Sequence, residues 1–236
     1  MELIIFLYGL VIGSFLNVCI YRIPLGMSIA FPPSFCPDCR NRLKWHEMIP
    51  LASYLVLRGR CRNCRAVIKV QYPLVELSTA VLSVLIFMKF GLTGIFFKYI
   101  IFVDLLIVVS FIDIQCRRIP NILSVSGIIV GLLWSCFHGG NELFHAVLGL
   151  AVGGAVLFPV AYFYPQGMGM GDIKLLAMIG AFTGVKLLLL ALFGGSALGA
   201  ITGLILICCK VITRKTPIPF GPFLAAGAVA AILLCK

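Results

Sequence analysis

The chain opens with MELIIFLYGLVIGSFLNVCIYR, residues 1–22, and the fate of this stretch decides what kind of protein follows. A secretory leader starts with a basic segment and ends at a small-residue cleavage site. Here the first positive charge, Arg22, comes after the apolar run, so 3–21 reads as a retained membrane span. A hydrocarbon core of about 30 Å takes roughly 20 apolar residues per helix. Applied along the chain, this places further spans at 73–90, 95–112, 120–137, 144–163, 173–185, 187–209 and 218–235. The sixth is short, so eight helices is the expected count and six or seven are the alternatives. The expected fold is an all-α polytopic membrane protein of about eight transmembrane helices. It divides into a first helix (1–21), a cytoplasmic loop (22–72) and a membrane core (73–236).

Composition agrees. Of 236 residues, 61% are hydrophobic and 11% charged, with a mean hydropathy of +1.12. A typical soluble domain is roughly a quarter charged, so a water-soluble class is excluded. Positive loops stay in the cytoplasm. With eight spans and the N-terminus outside, only Lys89, Lys98, Lys186 and Lys236 of the 19 Lys and Arg fall on the outer side. The formal net charge of +11 then needs no nucleic acid and suits a cytoplasmic face lying on anionic membrane lipid. Glycine pairs Gly9/Gly13, Gly127/Gly131 and Gly149/Gly153, and the series Gly195/Gly199/Gly203, have the spacing of close helix–helix contact.

The loop carries CPDC at 36–39 and CRNC at 61–64, two CxxC pairs with 21 residues between them. Cys36, Cys39, Cys61 and Cys64 match a zinc-ribbon arrangement, in which each tight turn supplies two thiolates to one tetrahedral ion. Arg40, Arg42, Arg60, Arg62 and Arg65 would help keep the thiols ionised. Disulfides suit a reducing compartment poorly, and no thioredoxin-like pattern surrounds either pair. Four thiolates leave zinc no open position, which gives Zn²⁺ a structural role. The other six cysteines, in or beside spans, are expected to pack as small apolar groups.

Eight carboxylates occur, and Glu76, Asp104, Asp113 and Asp172 touch the membrane. An ionisable group there is costly and points to function. Glu76 reads as lying in the first turn of the second span, serving either the helix end or a direct role. Asp104, about 13 Å along the helix from Asp113, either pairs with a neighbouring helix or lines a wet cavity. Asp113 ends the third span and Asp172 begins the sixth, on the same side by topology. Such a pair has the geometry of an aspartyl dyad, sharing a proton and activating water. Around Asp172 runs PQGMGMGDIK, 165–174, where Gly167, Gly169 and Gly171 leave room for an extended substrate. The alternative is a flexible turn with Asp172 as a helix N-cap.

These residues carry a family likeness. GMGD at 169–172 with Lys174 resembles the GxGD class of intramembrane aspartyl proteases. GSFLNVCIYRIP (13–24), the two CxxC pairs, IPLASYLVLRGRC (49–61), YPLVE (72–76) and D…RRIP (113–120) together resemble type IV prepilin leader peptidases. PFGPFLAAG (219–227) extends the likeness. The resemblance implies a bifunctional enzyme of the inner membrane, serving type IV pilus or type II secretion systems. It would cleave the leader of prepilin or pseudopilin substrates at the cytoplasmic face and N-methylate the new terminus from S-adenosylmethionine. By resemblance the catalytic aspartates are Asp113 and Asp172, and the zinc ligands are Cys36, Cys39, Cys61 and Cys64. Asn121, Met48 and Gln71 stand where many members have Asp, Asn and Arg. Two other readings are a proton-coupled transporter relaying through Asp104, Asp113 and Asp172, and a non-enzymatic scaffold whose zinc loop binds partners.

Overall fold

The structure is a computed structural model and describes residues 1–163, 169–213, 216 and 218–235. Among the described residues eight α-helices follow in order: α1 (Glu2–Arg22), α2 (Ala52–Val56), α3 (Gln71–Phe90), α4 (Gly94–Cys116), α5 (Asn121–Phe137), α6 (Gly140–Phe163), α7 (Met170–Cys208) and α8 (Gly221–Leu234). Helices α1, α3, α4, α6 and α7 are long and apolar enough to cross a membrane, while α5 and α8 are shorter apolar helices. The 39 residues of α7 are not one rod. Gly184 sits at φ 71°, ψ −179°, a conformation open to glycine and closed to most other residues, and it divides the helix into 170–183 and 185–208. The expected boundary between the sixth and seventh spans falls at this break. The basic residues Arg214, Lys215 and Lys236 lie outside the described residues, as does Gly167 of the glycine-rich stretch.

The chain forms two compact units, Met1–Ile100 and Ile101–Lys236. In the first, α1 lies against α3. A Cβ placed on Gly9 would come 2.6 Å from the Ala80 Cα, and one on Gly13 would come 2.6 Å from the Glu76 Cα. Two turns of α1 are therefore in backbone contact with α3. One turn further on, buried Asn17 donates through Nδ2 to the carbonyls of Gly13 (3.3 Å) and Tyr72 (3.0 Å). At the end of α1, the buried guanidinium of Arg22 donates to the carbonyls of Ser28 (2.9 Å) and Pro32 (2.6 Å). Arg22 thus folds the next ten residues back over the helix end, besides contributing positive charge.

In the second unit α7 touches α5, α6 and α8. Its segment from Leu175 to Phe182 is buried throughout, as expected of a helix that is apolar on every face. The contact with α6 is the closest. A Cβ on Gly149 would fall 2.2 Å from the Gly180 carbonyl oxygen, and one on Gly180 would fall 2.1 Å from that of Gly149. Farther along, Gly195 and Gly227 bring α7 against α8 in the same way. Phe102 of α4 stacks on Phe182 of α7 with ring centroids 4.6 Å apart.

The small-residue contacts carry a direct expectation. Gly180→Val should force α6 and α7 apart, at a cost of about 1–3 kcal/mol or more for overpacking. Gly154→Ala, where an added Cβ meets nothing within 4 Å, should be neutral or slightly stabilising. Melting temperatures of the two variants in the same detergent check this.

Candidate active site and metal-binding loop

The two CxxC turns are built alike. Cys36 N–H donates to the Asn41 carbonyl and Arg40 N–H to that of Cys36; Cys61 N–H donates to Ala66 and Arg65 N–H to Cys61. Short bridges Phe35–Arg42 and Arg60–Val67 close each turn. Arg40 (φ 56°) and Arg65 (φ 62°) hold the left-handed position four residues after the first cysteine of each pair. All four Sγ atoms lie within 4.8 Å of one another, and Cys36 Sγ is 3.9 Å from Cys64 Sγ. A tetrahedral zinc with bonds of about 2.3 Å needs sulfurs about 3.8 Å apart, so the set fits the ion.

The polar partners of these sulfurs are mainly backbone N–H groups, where the sequence suggested arginine. The N–H of Asn41 is the main cause bringing the Cys39 thiol down to about 7. At Cys64 the Ala66 N–H pulls the same way, but burial and the neighbouring sulfurs outweigh it and leave that thiol at about 12. Four sulfurs this close cannot all ionise without a cation between them. One side-chain contact ties the turns together, Asn63 Nδ2 donating to Cys39 Sγ, and Arg62 Nη1, 2.9 Å from His46 Nε2, ties the second turn to the segment Trp45–Met48. Among the other cysteines Cys19 is buried, whereas Cys116, Cys136, Cys208 and Cys209 are on the protein's outer surface.

Asp113 lies near the end of α4 and is 6% exposed. Its Oδ2 accepts the N–H of Gly221 at 3.0 Å. Gly221 is the first residue of α8, and Pro222 follows it. A carboxylate therefore meets the unsatisfied N–H groups and the positive dipole end of a helix. No side chain would fit at 221, since a Cβ there would come 2.8 Å from the same oxygen.

Asp172 lies in the first turn of α7, close enough to Asp113 for the two charges to interact. It does not cap the helix. Gly169 occupies the N-cap, no side-chain cap bond forms, and the Asp172 N–H donates to the Gly169 carbonyl. Gly171 has a packing use besides the substrate room its sequence context suggests. It lets α7 reach the turn between α4 and α5, where a Cβ would come 2.9 Å from the Ile119 Cβ. Lys174 Nζ then donates to Asn121 Oδ1 at 2.8 Å, joining the starts of α7 and α5. Residue 121, a departure from the family pattern, thus holds the lysine that follows the GxGD motif.

Glu76 is not in the first turn of α3, because the helix starts earlier, at Gln71. Its Oε2 accepts the Leu51 N–H at 2.8 Å, and Ser14 is a second partner. Leu51 has φ 57°, so Glu76 pins a left-handed turn of the cysteine loop to the membrane helix. Asp104 is partly buried and has no hydrogen-bond or ion-pair partner among the described residues. Nine residues at about 100° each turn it to the side of α4 opposite Asp113. Gly221 is the site residue that sequence reading missed. The glycine–proline pair ahead of an apolar run is a helix-start signal, but nothing local says which side chain its N–H will meet.

Comparison with known proteins shows the family of the chain. Residues 7–90 match the family model described as the bacterial peptidase A24 N-terminal domain, and residues 100–204 match that of the type IV leader peptidase family. A protein of Bacillus subtilis named prepilin leader peptidase/N-methyltransferase is 36% identical over 230 residues, covering 98% of this chain and 93% of its own. Proteins of the same name from Aeromonas hydrophila and Pseudomonas aeruginosa are each 36% identical, covering 98% and 96% of this chain and 89% and 88% of theirs. No solved structure matches the chain significantly.

The cysteine cluster is expected to hold about one zinc per chain, as a closed four-thiolate site does. Elemental analysis of the purified protein should find it. Cys36→Ser and Cys64→Ser should each lower the metal content at least tenfold, and Cys19→Ser should leave it unchanged.

Proposed function

We propose, from the premise that this chain belongs to the type IV leader peptidase family, that it cleaves the leader of prepilins or pseudopilins with Asp113 and Asp172 and then methylates the exposed amine. The observation that supports this reading is that Asp113 of α4 is held by the first N–H of α8, with Asp172 of α7 near enough to feel its charge. Two carboxylates in contact hold one proton between them. The Gly221 N–H favours negative charge on Asp113, which makes Asp113 the base. Asp113 takes a proton from water as the oxygen attacks the scissile carbonyl carbon, and Asp172 gives its proton to the carbonyl oxygen. The tetrahedral adduct collapses: a hydroxyl proton returns to Asp172, the C–N bond breaks, and the leaving nitrogen takes the proton held by Asp113 to become the new terminal amine.

Methylation proceeds from that amine, with S-adenosylmethionine supplying the methyl group when bound. The described residues contain no strand, so no strand–turn–helix glycine loop is available to cradle such a donor. The binding groups would come from helices and the cysteine loop. Zinc there is structural, because all four of its positions are taken. The membrane is the bacterial inner membrane, with the N-terminus outside and the aspartates facing the cytoplasm. The distribution of Lys and Arg supports that orientation.

Asp113→Asn and Asp172→Asn should each slow leader cleavage by about 10²-fold or more, with melting temperatures close to wild type. Intact-mass analysis of a prepilin incubated with the protein reads both steps. The leader is lost in either case, and one methyl group is gained only when S-adenosylmethionine is present. Normal cleavage by either variant overturns the assignment, and substrate-driven proton uptake without cleavage would favour a transporter.

A further inference from the structure

The segment WHEMIPLASYLV, 45–56, belongs to the cysteine loop yet is largely apolar. Trp45 is 76% exposed, Leu55 73% and Val56 81%, and Met48 and Ile49 are exposed as well. The short 3-10 turn Trp45–Met48 touches α2, so these side chains share one small region of the loop. Clustered apolar groups at a surface mark a face that another phase or molecule covers.

What lies against this face follows from where the loop is held. Helices α1 and α3 run antiparallel: Gly9 meets Ala80, Gly13 meets Glu76, and Asn17 meets Tyr72. The end of α1 and the start of α3 therefore emerge side by side, and both helices are long and apolar enough to cross a membrane. Between them the loop is not free to stand off in water. Leu51, in the middle of the apolar segment, donates its N–H to Glu76 Oε2 at 2.8 Å. At helical rise the Glu76 Cα is about 7.5 Å along α3 from Gln71. A polar headgroup layer is about 5–8 Å deep on each side of the hydrocarbon. The bond to Glu76 thus draws the segment down beside the helix to the level of that layer.

Charge identifies the lipid. From residue 40 to residue 69 the loop has eight Lys and Arg, all exposed, and one acid, Glu47. The Glu47 carboxylate is occupied locally, accepting the Lys44 N–H at 2.7 Å. Arg58 and Arg60 directly follow the exposed Leu55 and Val56. Tryptophan favours the membrane–water boundary, arginine can lay its stem on apolar surface with its head among phosphates, and anionic headgroups attract basic segments.

We propose that Trp45, Leu55 and Val56 insert into an anionic lipid leaflet while Arg58 and Arg60 bind its headgroups, so that the cysteine loop is seated on the membrane. The inference is independent of the peptidase reading. It also links the lipid to the cysteine turns, because the Trp45 ring meets the edge of His46, and His46 Nε2 lies 2.9 Å from Arg62 Nη1, between Cys61 and Asn63.

The test places the full-length protein in phosphatidylcholine vesicles, with or without about one-third phosphatidylglycerol. The chain has two tryptophans, so subtracting the emission of Trp45→Phe from that of wild type leaves the Trp45 signal. Trp134→Phe, which keeps Trp45 as the sole tryptophan, gives the same reading without subtraction. Lipids brominated near the top of their acyl chains should quench Trp45 at least twofold in anionic vesicles and less than half as much in neutral ones. Arg58→Gln combined with Arg60→Gln should lower the anionic result to the neutral level. Leu55→Glu combined with Val56→Glu should abolish the quenching and open Trp45 to aqueous acrylamide, with the melting temperature unchanged because both side chains are exposed. Free access of acrylamide to wild-type Trp45 in anionic vesicles overturns the proposal. So does a Trp45 shielded from acrylamide but untouched by brominated lipid, which would mean that protein covers the face. Equal quenching in neutral and anionic vesicles overturns it too, since the arginines would then play no part.

Discussion

Helices surrounded by hydrocarbon gain nothing by hiding apolar side chains from one another, so their association depends on how closely their backbones meet. In this chain that closeness comes from glycine. Gly149 and Gly180 bring α6 and α7 into backbone contact, and Gly195 with Gly227 does the same for α7 and α8. Helix α7 thereby becomes the centre of its unit, and everything on it takes a set position. Asp172 lies one turn into that helix. It comes near Asp113 because α7 is held against its neighbours along much of its length.

The second constraint is that polar groups in such surroundings need partners. The structure meets it at several buried polar side chains by turning them into ties between segments. Asp113 takes the first N–H of α8, Asn17 takes the Tyr72 carbonyl, and Glu76 takes the Leu51 N–H. Arg22 collects the carbonyls of the loop after α1. Such ties cross between distant parts of the sequence, and breaking one leaves a buried group unsatisfied. They act as positioning devices as much as sources of stability. The Asp113 bond is the clearest case, since it orients the acid against the start of α8.

The cysteine loop solves its own problem in miniature. It is too short to bury a large core, and it relies on four converging sulfurs and two similar turns. Arginines at the left-handed positions of both turns show backbone geometry outranking residue preference there. A metal at this point would supply much of the energy that orders the loop. Glu76 then fixes the ordered loop to α3 within the same unit.

Much of this was legible from sequence because it rests on local signals. Apolar run lengths gave the helices, small-residue spacing gave the contact faces, and the paired CxxC turns gave the metal cluster. Each is a property of neighbouring residues, and the structure keeps them. Other readings failed where the deciding partner lay far along the chain. Glu76 read as a helix-end group or a direct participant until Leu51, 25 residues away, supplied its partner, and Asp172 read as an N-cap or an acid until Gly169 took the cap. Gly171 has a packing partner, Ile119, that its local sequence does not announce. The bond from Gly221 to Asp113 spans 108 residues. A sequence determines which segments are apolar, which are tight turns and which side chains can ionise, because those follow from residue chemistry and short-range sterics. Which ionisable group meets which backbone N–H was decided only by the packing of α4, α7 and α8, because a hydrogen bond depends on position in space and carries no trace in the local pattern of either partner.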